Sequence, residues 1–241
     1  MIRSDFIKIT NNKEIHLIID SEIKDNYNEI SIINGIIYIK IQPNYFGTNT
    51  GGVGYNILDL LKSSDEVLPL ITKKNIRDNW EQQIPSLKKS LKQILNEDYE
   101  FIIDWEDIYL KVISVNEVNA NWLKTKLGEI VFGYFESLTR YIIDYAKNDD
   151  LIRSEFVNVI STKKFYFIYD EDLNDYNSIE IKDGAIYIKV KPTSFGTNSS
   201  IGYNIIDLIK DPNEVLPLKT KKNIRDEWEK EIPRLKKQLN K

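Results

Sequence analysis

Carboxylates set among aromatic rings are the side chains here whose types and spacing best suit chemistry. Glu97, Asp98 and Tyr99 stand in the run Asn96-Glu97-Asp98-Tyr99-Glu100-Phe101, which leads to Asp104, Trp105, Glu106 and Asp107. A second run, Asp170-Glu171-Asp172-Leu173-Asn174-Asp175-Tyr176, has the same character. Acids at this density steer and pair a basic partner, while the rings anchor it in a desolvated contact. The candidate partner-binding set is therefore Glu97, Asp98, Tyr99, Asp104, Trp105, Asp107, Asp170, Asp172, Asp175 and Tyr176.

Other spacings point to other chemistries. Asp170, Glu180 and Lys182 follow the acid…Glu-x-Lys order of metal-dependent nucleases, in which two acids hold Mg²⁺ and the lysine positions water. Glu and Lys two apart are also neighbours on one face of an exposed strand. The glycine-rich stretch Phe46 to Gly54 precedes an expected helix, and such a loop can cradle phosphate at the helix N-terminus. It lacks the Gly-Lys-Ser/Thr ending of a phosphate loop, so a plain loop-to-helix turn fits it too. His16 is the one histidine. A hydrolytic triad needs a nucleophile and an orienting acid in register with it, and a histidine metal site as a rule needs more than one. Lys73-Lys74-Asn75-Ile76-Arg77-Asp78 with Trp80 and Glu81 reads as a salt-bridged helix face, its basic charge diluted by Asp78 and Glu81. No residue is assigned to catalysis or to a metal, and no cofactor is expected.

Composition narrows the classes further. The chain has 241 residues, 41% of them apolar and 29% charged, enough for a real core and a soluble surface. A formal charge of −4 argues against general nucleic-acid binding, which needs a basic surface to displace phosphate counterions. Without cysteine there is no disulfide, thiolate metal site or cysteine nucleophile. The opening MIRSDFIKIT does not read as a signal peptide, and the most apolar expected helix, near 122–146, carries Lys124, Lys126, Glu129, Glu136, Arg140 and Asp144. A cytoplasmic protein with no membrane span is expected.

These residues are positioned by a repeated unit. Ile2-Arg3-Ser4-Asp5-Phe6 returns as Ile152-Arg153-Ser154-Glu155-Phe156, Phe46-Gly47-Thr48-Asn49 as Phe195-Gly196-Thr197-Asn198, and Thr72 to Asp78 as Thr220 to Asp226. The expected organisation is an α/β repeat at 1–95, a single-copy segment at 96–150 and a second repeat at 151–241. Each copy should open with strands, Phe6 to Ile9 and Ile15 to Ile19 in the first, because β-branched residues dominate there. A hairpin should follow, with Asn34-Gly35 or Asp183-Gly184 supplying the two positive-φ residues of a type I′ turn. A helix near Tyr55 to Leu61 (Tyr203 to Ile209 in the second copy) precedes a closing helix capped by Thr72. Ile76, Trp80, Ile84, Leu87, Leu91 and Ile94 give that helix one apolar stripe, with a kink or fresh start at Pro85, and Pro233 repeats the feature. The middle segment should hold strands at Tyr99 to Ile103 and Ile108 to Val115. A long helix then shows a broad apolar face including Leu127, Val131, Tyr134 and Leu138, suited to packing on two sides. The expected class is α+β, a tandem duplication of an antiparallel-sheet-plus-helices unit with a long middle helix.

Ser31 to Tyr38 with Pro43, the segment Gly54-Tyr55-Asn56-Ile57-Leu58-Asp59-Leu60-Leu61 and the start Leu127-Gly128-Glu129-Ile130-Val131-Phe132 together resemble bacterial immunity proteins of contact-dependent growth-inhibition systems. The resemblance implies a small cytosolic protein that binds and blocks a toxin nuclease without catalysis of its own, and it carries over no binding residue. The expected function is thus non-enzymatic binding of a protein partner, a basic toxin domain. A metal-dependent nuclease or phosphoryl-transfer enzyme and a nucleotide or anion sensor stand as alternatives.

Overall fold

The computed structural model describes residues 10, 14–23, 28–45, 66–115, 120–196, 201–209 and 215–239. The expected strand Phe6 to Ile9, the glycine-rich loop from Phe46 onward and the helix near Tyr55 to Leu61 lie outside the described residues.

Strands β1 (Ile15–Ile19), β2 (Asn28–Ile33) and β3 (Ile36–Ile41) form the first sheet, in the order β1-β3-β2. The β2–β3 hairpin turns at Asn34 and Gly35, whose φ values are 52° and 77°. Asn and Gly reach this left-handed region at least cost, so the local sequence sets the turn and hence the register. The closing helix begins at Leu70 as α1 (Leu70–Ile76), passes through a π-type turn at Arg77–Glu81, and restarts as α2 (Ile84–Leu95) with Pro85 in its first turn. Proline is tolerated there because the first-turn amides have no helical partner. Thr72 is not the cap: α1 starts after Pro69, and the buried Thr72 hydroxyl donates instead to the Lys124 carbonyl at 2.9 Å. Asn96, in the left-handed conformation at φ 57°, ends α2.

The middle segment holds β4 (Glu100–Ile103), α3 (Trp105–Val115) and the long α4 (Ala120–Ala146). The strand expected over Ile108 to Val115 is thus a helix. Asp104 Oδ1 accepts the Asp107 amide at 3.0 Å, Glu106 and Asp107 complement the helix dipole, and Ile108, Tyr109 and Val112 share one buried face. Burial on a helical period overrides the β preference of isoleucine and valine.

Helix α5 (Asp150–Val159) precedes β5 (Lys164–Tyr169), β6 (Asn177–Lys182) and β7 (Ala185–Val190). The counterpart of the expected opening strand, Phe156 to Val159, is therefore helical, with Asp149 capping α5 through the Leu151 and Ile152 amides at 3.1 Å. A 3₁₀ turn at Pro192–Ser194 and a four-residue helix α6 (Ile205–Leu208) lead to α7 (Leu218–Leu239), which continues through Pro233.

The second sheet has the order β4-β5-β7-β6. Within each sheet only the hairpin is antiparallel, because β1 runs parallel to β3, and β4, β5 and β7 run parallel to one another. The class is α+β as expected, but both sheets are mixed rather than antiparallel. The two sheets share a register at positions that align in sequence: Ile15 stands opposite Ile37 as Phe165 stands opposite Ile186, and Asn28 opposite Ile41 as Asn177 opposite Val190.

One buried core joins the first closing helix, the middle segment and the second sheet. Tyr134, Phe135 and Leu138 of α4 are fully buried within it, beside Trp80, Phe165 and Phe167. Its aromatic rings meet mostly edge-on or tilted, Trp80 against Phe135 at 5.1 Å and Phe101 against Phe135 at 4.9 Å. Such geometries add about 0.5–1.5 kcal/mol per pair beyond area burial.

Candidate functional site

The second sheet decides which of the acidic residues meet. Parallel strands β4, β5 and β7 end on one side, so the residues that follow them gather there: Asp104 after β4, Asp170 after β5 and Lys191 after β7. The loop from Asp170 to Tyr176 returns into β6 on the same side, since Asn177 pairs with Val190. The ends of parallel strands are where open α/β sheets present loops to ligands.

Backbone and side-chain bonds shape this rim. Asp170 Oδ1 accepts the Asp172 amide at 3.1 Å, and Lys191 Nζ donates to the Leu173 carbonyl at 3.0 Å. The Lys191 amide donates to the Tyr176 carbonyl, also at 3.0 Å. Glu171, Asp172, Asp175 and Tyr176 are left exposed, Tyr176 at 66%. Across the rim Asp104 is exposed while capping α3, and Asp107 is half-buried and pairs with Lys111 at 2.9 Å. Beneath them the Tyr169 hydroxyl is buried, with no hydrogen-bond partner among the described residues. Burial, aided by the Tyr134 phenol and the Asp107 carboxylate, holds its proton well beyond the usual tyrosine range.

Asp175 also lines a cleft with Asn177, Ser178, Ile179, Ile201, Gly202, Tyr203 and Asn204. Helix α4 holds its far wall, because Ser137 Oγ donates to the Ile201 carbonyl and Tyr145 Oη to the Tyr203 carbonyl, both at 3.0 Å. Tyr203, 63% exposed, therefore stands on the wall facing the acidic loop. In the sequence it reads as one of the apolar residues of a helix, but α6 starts only at Ile205. The Gly202 before it was the available signal for a break.

The remaining members of the set fall elsewhere. Tyr99 is 3% exposed and packs against Phe156 and Phe165, so it belongs to the core and cannot touch a partner. Glu97 and Asp98 precede β4 and so lie at the opposite end of that strand from Asp104, paired with Lys163 and Lys92. Trp105 is half-buried, edge-on to Trp80 at 5.6 Å.

Asp170 and Glu180 do converge, but on a lysine. Lys189 Nζ lies 3.3 Å from Asp170 and 2.6 Å from Glu180, which, Glu180 foremost, holds its ammonium above the usual lysine range. Lys182, expected to position water, sits at the hairpin end of β6 opposite Ala185. The first copy repeats the pair as Asp20–Lys40 at 3.2 Å. Among the described residues no group of three or more His, Asp and Glu is arranged to hold a metal ion. His16 is exposed on β1, tilted over Tyr38 and 3.2 Å from Glu14. Lys74 and Arg77 both pair with Asp78 at 2.6 Å, and Trp80 is buried, as a salt-bridged helix face requires. No helix among the described residues is long and apolar enough to cross a membrane. Comparison with known protein families, curated proteins and solved structures finds no match.

Proposed function

We propose that this is a non-enzymatic protein-binding protein, an immunity protein that neutralises a toxin by covering a basic surface of it in the cytoplasm. The observation that carries the reading is the meeting of Asp104 and Asp107 with Asp170, Asp172, Asp175 and Tyr176 at one end of the second sheet. The carboxylates would steer and pair lysines and arginines of the partner, and Tyr176 and Tyr203 would anchor beside the Asp175 cleft. Strand pairing brings the two acidic segments to one end of the sheet, and the Asp104 cap and the Asp170–Asp172 turn bond shape them there.

The test is the double charge reversal Asp172→Lys, Asp175→Lys. Both side chains are exposed, so the melting temperature should hold while affinity for the basic partner falls about 100-fold, near 3 kcal/mol, with a shallower dependence on salt. Titration calorimetry against the partner captured from the source cells reads it. Unchanged affinity removes this rim from the interface.

A further inference from the structure

The two copies expose opposite faces. Along β1, Ile15, Leu17 and Ile19 point to one side of the first sheet and are 66%, 57% and 59% exposed. Their counterparts on β5 (Phe165, Phe167 and Tyr169) are 0%, 3% and 9% exposed, because the middle segment covers them. Among the described residues no strand pairs with the outer edge of β1, whereas β4 occupies that edge of β5. The closing helices show the reverse. Ile76 and Trp80 of the first are buried, yet the matching Ile224 and Trp228 of α7 are 45% and 59% exposed, continuing into exposed Ile232, Leu235 and Leu239.

The chain therefore uses the closing helix of its first copy against the sheet of its second. Trp80 meets Phe101 of β4 at 6.3 Å, and Lys88 stands over the same ring at 5.8 Å. Among the described residues, what remains is a closing helix without a sheet and an apolar sheet row without a helix. Their charges are opposite. Helix α7 carries eight basic and four acidic residues, while residues 13–29, which contain the β1 row, carry five acidic residues against Lys13 and Lys24. The N-terminal half of α7 is already fastened to the body through Arg225–Asp149 at 2.7 Å and Lys221–Glu155 at 3.3 Å, so its C-terminal half projects the stripe from a fixed base.

We propose that two copies of this chain dock reciprocally, the stripe of α7 from Trp228 onward of each lying on the exposed β1 row of the other. The closed pair contains two identical contacts, each joining two different surfaces. Apolar burial drives the contact, and the charge difference aligns it. The surfaces differ from the acidic rim, so the dimer stands or falls independently of the proposed function.

Light scattering on the full chain over micromolar concentrations reads the oligomeric state. The wild-type chain should run at twice the chain mass, and raising salt should weaken the dimer only modestly, because apolar burial and not charge drives it. Leu17→Asp and Trp228→Asp should each run as monomers with unchanged melting temperatures. Mixed in equal amounts, they should associate more tightly than either alone, because the pair retains one intact α7–β1 contact. A monomeric wild-type chain overturns the proposal. So does a dimer lost in Leu17→Asp but kept in Trp228→Asp, which would mean sheet-to-sheet pairing, or a mixture no tighter than its parts.

Discussion

Gly128→Ala should destabilise the protein by about 2 kcal/mol and Gly128→Leu by about 3 kcal/mol or more, lowering the melting temperature of the latter by about 10 °C. A Cβ at Gly128 would stand 2.6 Å from Ile76 Cα and 2.8 Å from the Asn75 carbonyl oxygen, and backbone atoms cannot swing aside. The crossing is so close because α1 bonds directly to the α4 backbone. Asn75 Oδ1 accepts the Gly128 and Glu129 amides at 2.7 and 3.2 Å, and Thr72 donates to the Lys124 carbonyl that an undisturbed helix would bond to the Gly128 amide. Any side chain at 128 must push these bonds apart as well as strain the core. Helix propensity alone makes the opposite forecast, since alanine in a helix interior is favoured over glycine by about 1 kcal/mol. A thermal or urea melt of Gly128→Ala reads the sign directly, and a gain in stability would mean that α1 and α4 do not touch here.

Asp149→Ala should cost about 3 kcal/mol, since one carboxylate serves two structures. It caps α5, and it takes both terminal nitrogens of Arg225 at 2.7 Å, tying α7 to the body while only 8% exposed. The Arg225 guanidinium, followed by the Ile152 amide, holds the Asp149 carboxyl below its usual range. A carboxyl depressed in the folded state gives stability that is complete above the unfolded value, about pH 4, and is lost as pH falls through the native value. The wild-type chain should therefore lose stability between about pH 4 and its depressed native value more steeply than Asp149→Ala, and urea midpoints across that range measure the difference. A double-mutant cycle with Arg225→Ala separates the cap from the ion pair. Equal acid slopes in the two proteins would show that Asp149 titrates normally.

All six members of the acidic rim are legible in the sequence, but four of the ten candidates lie elsewhere. Asp104 and Asp107 stand out in one acidic run and Asp170, Asp172, Asp175 and Tyr176 in another, and strand pairing brings both runs to the same end of the second sheet. Tyr99 has the same local context and is buried, because strand alternation and the rings of Phe156 and Phe165 claim it. Tyr203 is not legible as a member because it reaches the site from another segment, held by the hydrogen bonds that the Ile201 and Tyr203 carbonyls accept from α4. Lys189, not Lys182, completes the Asp170–Glu180 cluster, since partners across a hairpin are chosen by register and not by spacing along one strand.

What the sequence determined by itself is what depends on near neighbours in the chain. Asn34-Gly35 and Asp183-Gly184 make their turns because few other residues tolerate positive φ, α4 follows from its helical apolar period, and Pro85 opens a new helix. The tertiary structure decided what depends on covering. Ile108 to Val115 and Phe156 to Val159 suit a strand or a helix locally, and a capped helical face against the core selects the helix. The clearest case is the stretch Thr72 to Asp78 and its identical partner Thr220 to Asp226, in which Ile76 is buried at the α4 crossing and its counterpart Ile224 is exposed. Burial belongs to a pair of surfaces and not to a segment, and a chain with two copies of each surface has only one middle segment to cover them.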